Sequence, residues 1–135
     1  MSGRLHHVSI TCASLTASLA FYRQFGFIIN QDFQDEQCTI VLLQSRNTHI
    51  ELFTFTDVVS AKTHEDLIYL KAIGIRHLAI EVDDLIKMHQ TLSTTTTVTP
   101  IKQARLGSFN YFFCYDPDGN QIEVLNINNG MKGII

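Results

Sequence analysis

The chain states one pattern twice. Leu5-x-His7-Val8-x-Ile10-x-Cys12-x-x-Leu15 returns as Ile75-x-His77-Leu78-x-Ile80-x-Val82-x-x-Leu85. Each copy closes on a second matched phrase, Ile50-Glu51-Leu52 in the first half and Ile122-Glu123-Val124 in the second. A repeat of this kind is one supersecondary unit used two times, and it restricts the fold more than any local propensity does. It also duplicates chemistry. One His at the start and one Glu at the end of each copy make two His and two Glu, a ligand set for a divalent metal.

Composition closes off other classes. The 135 residues suit one domain or two small modules sharing a core, and the net charge of −3 is mild. With no basic stripe and no charged run, nucleic acid is not an expected partner. The apolar runs are too short to span a bilayer, so no membrane association is expected, and the opening Met1-Ser2-Gly3-Arg4 lacks the apolar core of a signal peptide. Cys12, Cys38 and Cys114 are odd in number and lack metal-type spacing. They read as small buried residues in a reducing compartment, and the expected location is the cytoplasm.

Each copy opens as a strand. Val8, Ile10 and Cys12 alternate with His7, Ser9 and Thr11; Leu78, Ile80 and Val82 alternate with His77, Ala79, Glu81 and Asp83. A helix follows in both. In the first, Ser14 is the expected N-cap, Leu15, Leu19, Tyr22 and Phe25 the apolar stripe, and Gly26 the terminator. In the second, Asp83 or Asp84 caps and Leu85, Met88 and Leu92 form the stripe. Three strands then complete each copy, at about 27–33, 38–44 and 48–55 and at about 97–101, 109–115 and 120–127. Asp116-Pro117-Asp118-Gly119 and Ser45-Arg46-Asn47 are the matching turns. The expected fold is α+β: two tandem βαβββ modules forming a curved, barrel-like mixed sheet in a single domain over 1–135. Module one covers about 4–56, a linker 57–73 and module two about 74–128, with a short linker helix around His64–Ala72. The tail from Asn126 is expected to be loosely held, with Ile134 and Ile135 able to dock on a neighbour.

Strand parity decides where the four donors point. His7, Glu51, His77 and Glu123 each lie opposite the apolar set of their strand, on the face that does not pack against the helices. A single His or Glu in a strand is ordinarily a solvated side chain. Four at duplicated positions on one kind of face are not explained that way. If the sheets curve around that face, one concavity receives two imidazoles and two carboxylates, with shell positions left for water or substrate oxygens. Phe53 and Phe55 share the face of Glu51, as does His49, while His6, His64 and His89 read as solvated.

These residues resemble the vicinal oxygen chelate superfamily, which includes glyoxalase I, bleomycin resistance proteins and extradiol dioxygenases, and are nearest the bacterial glyoxalase I branch. The resemblance runs from about Leu5 to Leu125. It rests on Leu5-His6-His7-Val8, Leu19-Ala20-Phe21-Tyr22, Gly74-Ile75-Arg76-His77-Leu78-Ala79-Ile80 and Asp116-Pro117-Asp118-Gly119-Asn120-Gln121-Ile122-Glu123. It implies His7, Glu51, His77 and Glu123 as ligands of one divalent metal per site (Ni, Co, Zn, Mn or Fe). It also implies a homodimer in which each site takes one module's ligands from each subunit. The implied activity is that of a metal-dependent lyase or isomerase on a small vicinal-oxygen substrate, with Glu51 or Glu123 as the base.

The departures are as informative. Where the glyoxalase I branch holds glutathione with an arginine on the first strand and an asparagine after the first Glu, this chain has Thr11 and Phe55. Glu81 adds a carboxylate where the branch carries a small residue. The expected pocket, lined by Thr11, Phe53, Phe55 and Glu81, is therefore not favoured for glutathione; Lys102 and Arg105, expected in the loop before 109–115, are either anion clamps or solvated loop charges. Fosfomycin-type transferases and ring-cleaving dioxygenases of the superfamily lack the fourth ligand that Glu51 supplies, and the drug-binding proteins typically lack the ligands altogether. The complete quartet favours an enzyme.

Overall fold

The computed structural model of the chain describes residues 1–60 and 64–127. The chain folds as two compact units, Met1–Ala61 and Lys62–Ile135.

The first unit runs β1 (Val8–Thr11), α1 (Leu15–Arg23), β2 (Ile28–Gln34), β3 (Cys38–Ser45) and β4 (Thr48–Phe55). Its sheet has the order β1-β4-β3-β2, with β1 parallel to β4 and the other pairs antiparallel. A parallel pair needs a crossover, and α1 with the β2–β3 hairpin provides it. Ser14 starts α1, its Oγ accepting the Ala17 N–H at 3.2 Å. The helix ends as glycine allows: at φ +88 Gly26 lets its N–H reach the Arg23 carbonyl and the Phe27 N–H reach that of Tyr22. The buried side of α1 is Ser18, Phe21 and Tyr22, with Phe25 at its end, whereas Leu15 and Leu19 are half-buried. The expected stripe is thus rotated towards Phe21, whose ring meets Tyr22 edge-on at 4.9 Å. Opposite it, Val41, Leu43, Ile50 and Leu52 are buried from one sheet face.

The second unit repeats the plan. After the short α2 (His64–Ile68) come β5 (Leu78–Glu81), α3 (Leu85–Leu92), β6 (Lys102–Gln103), β7 (Phe109–Tyr115) and β8 (Gln121–Ile127). The order is β5-β8-β7-β6, with β5 parallel to β8. Asp84 is the cap of α3, accepting the Lys87 N–H at 3.0 Å. Leu85, Leu92, Phe112, Cys114, Ile122 and Val124 are the core.

Three expectations are corrected. The linker helix stops at Ile68, well short of Ala72, and Gly74 beyond it has φ +131. The strand expected at about 97–101 is reduced to an isolated bridge, Val98 to Cys114. Two groups that a ladder would use are spent elsewhere: the Thr99 hydroxyl accepts the Phe113 N–H at 2.8 Å, and the Thr99 carbonyl contacts His89 Nε2 at 2.9 Å. Pro100 then brings no N–H, so pairing resumes only at β6. His89 is accordingly not solvated; it also lies edge-on to Phe112 at 4.8 Å. Cys12 and Cys114 are buried as expected, Cys38 only partly. The expected tail contacts of Ile134 and Ile135 lie outside the described residues. Among the described residues no helix is long and apolar enough to cross a membrane.

Candidate functional site

Register puts each His beside its Glu. In the first unit Ser9 pairs with Glu51 and Thr11 with Phe53 across the parallel β1–β4 ladder, so Ser9, Thr11, Glu51 and Phe53 share the face turned away from α1. His7 precedes β1 in the same parity, and its Nε2 lies 3.3 Å from Glu51 Oε1. In the second unit Ala79 pairs with Glu123, and His77 Nε2 lies 2.9 Å from Glu123 Oε1. The first pair is the more open, with side chains 36% and 25% exposed against 24% and 13%.

These separations suit a cation. Two donors about 2.1 Å from one metal stand about 3.0–3.4 Å apart when they occupy neighbouring octahedral or tetrahedral positions. Each unit therefore presents a candidate two-donor half-site of one imidazole and one carboxylate. Within either unit, among the described residues, no third His, Cys, Asp or Glu joins the pair to complete a site. Each carboxylate meets its histidine through Oε1, which leaves Oε2 to accept a proton or a second bond.

The rings are held differently. His6 Nδ1 lies 2.8 Å from His7 Nδ1, and the His6 ring stacks on His49 with centroids 4.9 Å apart and planes within 5°. His77 has no such neighbour among the described residues: its Nδ1 is buried without a hydrogen-bond partner, and its ring packs edge-on to Phe113 at 5.3 Å. His6, exposed as expected, and His49 thus bear on the candidate half-site. The adjacent His6-His7 pair, with His49 two positions before Glu51, is the signal that points to them.

The surroundings differ more. In the first unit the row of side chains beyond Glu51 is Thr11, Phe53, Ile40 and Phe33, and Phe53 stacks on Phe55 with centroids 5.7 Å apart. In the second unit the equivalent row is Glu81, Leu125, Tyr111 and Lys102, which puts a carboxylate and an ammonium on the outer strands of one row. Lys102 therefore belongs to β6 and not to a loop, while Arg105 is exposed in the turn that leads to β7. A concavity of about 260 Å³ beside the first half-site is lined by Arg4, Leu5, His6, Gln44, Asn47 and His49. A larger one, about 650 Å³, is lined by the hairpin residues Gln34, Asp35, Glu36 and Gln37 and touches no donor.

Known proteins share this plan. YwkD, an uncharacterized protein of Bacillus subtilis (strain 168), is 34% identical over 125 residues that cover 89% of this chain and 94% of its own. A glyoxalase family protein from Bacillus cereus superposes with a TM-score of 0.76 at 18% identity, covering 92% of this chain and 93% of its own. The trypanothione-dependent glyoxalase I of Leishmania major superposes at 0.69 with 25% identity, over 98% and 93%. The family model for the Glyoxalase/Bleomycin resistance protein/Dioxygenase superfamily matches residues 4–124, and the chain belongs to that superfamily.

Proposed function

We propose that this protein is a metal-dependent enzyme of glyoxalase type, a lyase or isomerase that acts on a small molecule bearing two adjacent oxygens. The observation that carries the reading is the pair of duplicated half-sites, His7 with Glu51 at 3.3 Å and His77 with Glu123 at 2.9 Å. Two neutral imidazoles and two carboxylates balance the charge of one divalent cation. In the homodimer that this reading entails, module one of one chain and module two of its partner contribute the four donors. When bound, such a cation supplies Lewis acidity towards two vicinal substrate oxygens.

The residues do the rest. His7 and His77 hold their places through Nε2. Glu51 or Glu123, through the Oε2 not engaged by histidine, takes the proton from the substrate carbon and returns it to the neighbouring one. Phe53, Phe55 and Phe113 keep water from the apolar side of the face. Thr11 and Phe55 offer neither the guanidinium nor the amide that suits a glutathione conjugate, and Glu81 repels an anionic tail. The substrate class is therefore a smaller or more apolar oxygen chelator, with Lys102 and Arg105 as the cations available to an anionic group.

The test is metal analysis of the purified protein, followed by assay of the methylglyoxal–glutathione hemithioacetal with nickel, cobalt, zinc and manganese. Stoichiometric metal that is lost in Glu51→Gln and Glu123→Gln supports the site. Metal-free protein that binds a bulky cationic drug would instead support a sequestering protein.

A further inference from the structure

Two histidine nitrogens 2.8 Å apart share one proton, because two bare lone pairs or two N–H groups would repel at that distance. Which ring carries it determines what His7 can do. If His6 donates, the ring proton of neutral His7 sits on Nε2 and blocks the nitrogen facing Glu51. If His7 donates through Nδ1, its Nε2 presents a lone pair beside the carboxylate. A cation on Nε2 demands the second arrangement, and a metal-bound imidazole gains basicity and a fixed ring plane when its other N–H has an acceptor.

We propose that His6 is a positioning residue for the first half-site: its Nδ1 accepts the His7 Nδ1–H and so holds His7 in the tautomer whose Nε2 binds metal. The inference rests on the metal reading above and adds to it a division of labour between the modules. The His6 ring is itself kept in place by its stack on His49, so a chain of His49, His6, His7 and Glu51 ends at the cation position. The repeat breaks here. The residue in the place of His6 is Arg76, whose Nη1 donates to the Tyr69 carbonyl at 3.1 Å, and the Nδ1 of His77 is buried with no partner among the described residues. The more exposed histidine carries the orienting hydrogen bond, and the more enclosed one is oriented by Phe113.

Two variants separate the acceptor from the ring. His6→Phe keeps an aromatic ring for the stack on His49 but has no lone pair; His6→Asn loses the ring and keeps an acceptor, Oδ1, near the position of Nδ1. Zinc and nickel affinities of the metal-stripped, full-length protein are measured by competition with a chromophoric chelator, and the His7 ring nitrogens of the zinc-loaded protein are read by nitrogen-15 NMR. The expected results are a loss of affinity of about tenfold in His6→Phe, recovery to within about twofold in His6→Asn, and a protonated His7 Nδ1 in the wild type. Unchanged affinity in His6→Phe, or an equal loss in both variants, overturns the assignment while His7→Ala still abolishes binding. A wild type that binds no metal, or a His7→Ala protein that binds as the wild type does, overturns the metal reading itself and this inference with it.

Discussion

Removing one carboxylate from the β7–β8 turn should weaken the fold and reach the second half-site at the same time. Asp116 is only 4% exposed. Its Oδ1 accepts the N–H groups of Asp118 at 3.0 Å and Asn120 at 2.9 Å, and its Oδ2 accepts the Asn120 side-chain amide at 2.9 Å. Its backbone also closes the turn, with its N–H on the Asn120 carbonyl and its carbonyl accepting from Gly119. A hydrogen bond to a charged group contributes about 1.5–3 kcal/mol, and the three donors are only partly buried, so water recovers a share of each. Asp116→Ala should therefore cost about 3 kcal/mol. Asp116→Asn should cost about 1–2 kcal/mol, since an amide oxygen still accepts from the two backbone groups but its NH₂ confronts that of Asn120. Urea unfolding followed by circular dichroism measures both, which suits a chain without tryptophan. Because the turn sets the pairing of Tyr115 with Gln121 and hence of Phe113 with Glu123, metal affinity should fall along with stability. A loss in Asp116→Ala below about 0.5 kcal/mol would refute the reasoning, by showing that water satisfies those donors as well as the carboxylate does.

Four further outcomes are expected. The N–H groups of Gln37 and Cys38 hold the Asp35 carboxyl below its usual 3.8, so its stabilisation is present above the unfolded value and is lost as pH falls through the lower folded one. The stability gap between the wild type and Asp35→Asn should then be open at pH 7 and close towards pH 2, as thermal melts at each pH would record. Burial, with the Asp116 charge behind it, pushes the Cys114 thiol up to about 12, so iodoacetamide at pH 8 should modify Cys114 only after unfolding, as peptide mass spectrometry would show. Mixing inactive His7→Ala with inactive Glu123→Ala should restore one of the two metal sites in each mixed dimer, measured by metal content after subunit exchange; strictly monomeric protein in sedimentation would contradict the shared site. Thr11→Arg with Phe55→Asn should raise hemithioacetal turnover above a weak wild-type rate, and robust wild-type turnover would show that glutathione is anchored elsewhere.

Where period and parity carried the information, the sequence was readable. The alternation puts Glu51 and Glu123 on the faces away from the helices, and His7 and His77, one residue before β1 and β5, reach the same carboxylates. The caps Ser14 and Asp84 and the turn glycine Gly26 are local chemistry and stand where local chemistry puts them. What was not legible depended on partners distant in sequence. The segment around Thr99 looks β-prone, yet its carbonyl and hydroxyl are claimed by His89 and by the Phe113 N–H. Nothing near Phe21 marks it as more buried than Leu19; that choice is made by the sheet beneath the helix. His6 is exposed as its sequence suggests, and only the fold reveals its close Nδ1 contact with His7.

The parallel β1–β4 and β5–β8 ladders measure donor spacing across the sheet rather than along the chain. His7 and Glu51 are 44 positions apart in sequence and His77 and Glu123 are 46, yet Ser9 meets Glu51 as Ala79 meets Glu123. The first copy turns from β3 to β4 between Ser45 and Thr48, while the second takes the longer route from Tyr115 to Gln121. Insertions and deletions in those hairpins thus leave the distance between donors untouched. The connecting loops are free to drift in length, to carry different side chains and to redraw the pocket wall, while the pair that would hold the ion keeps its gauge.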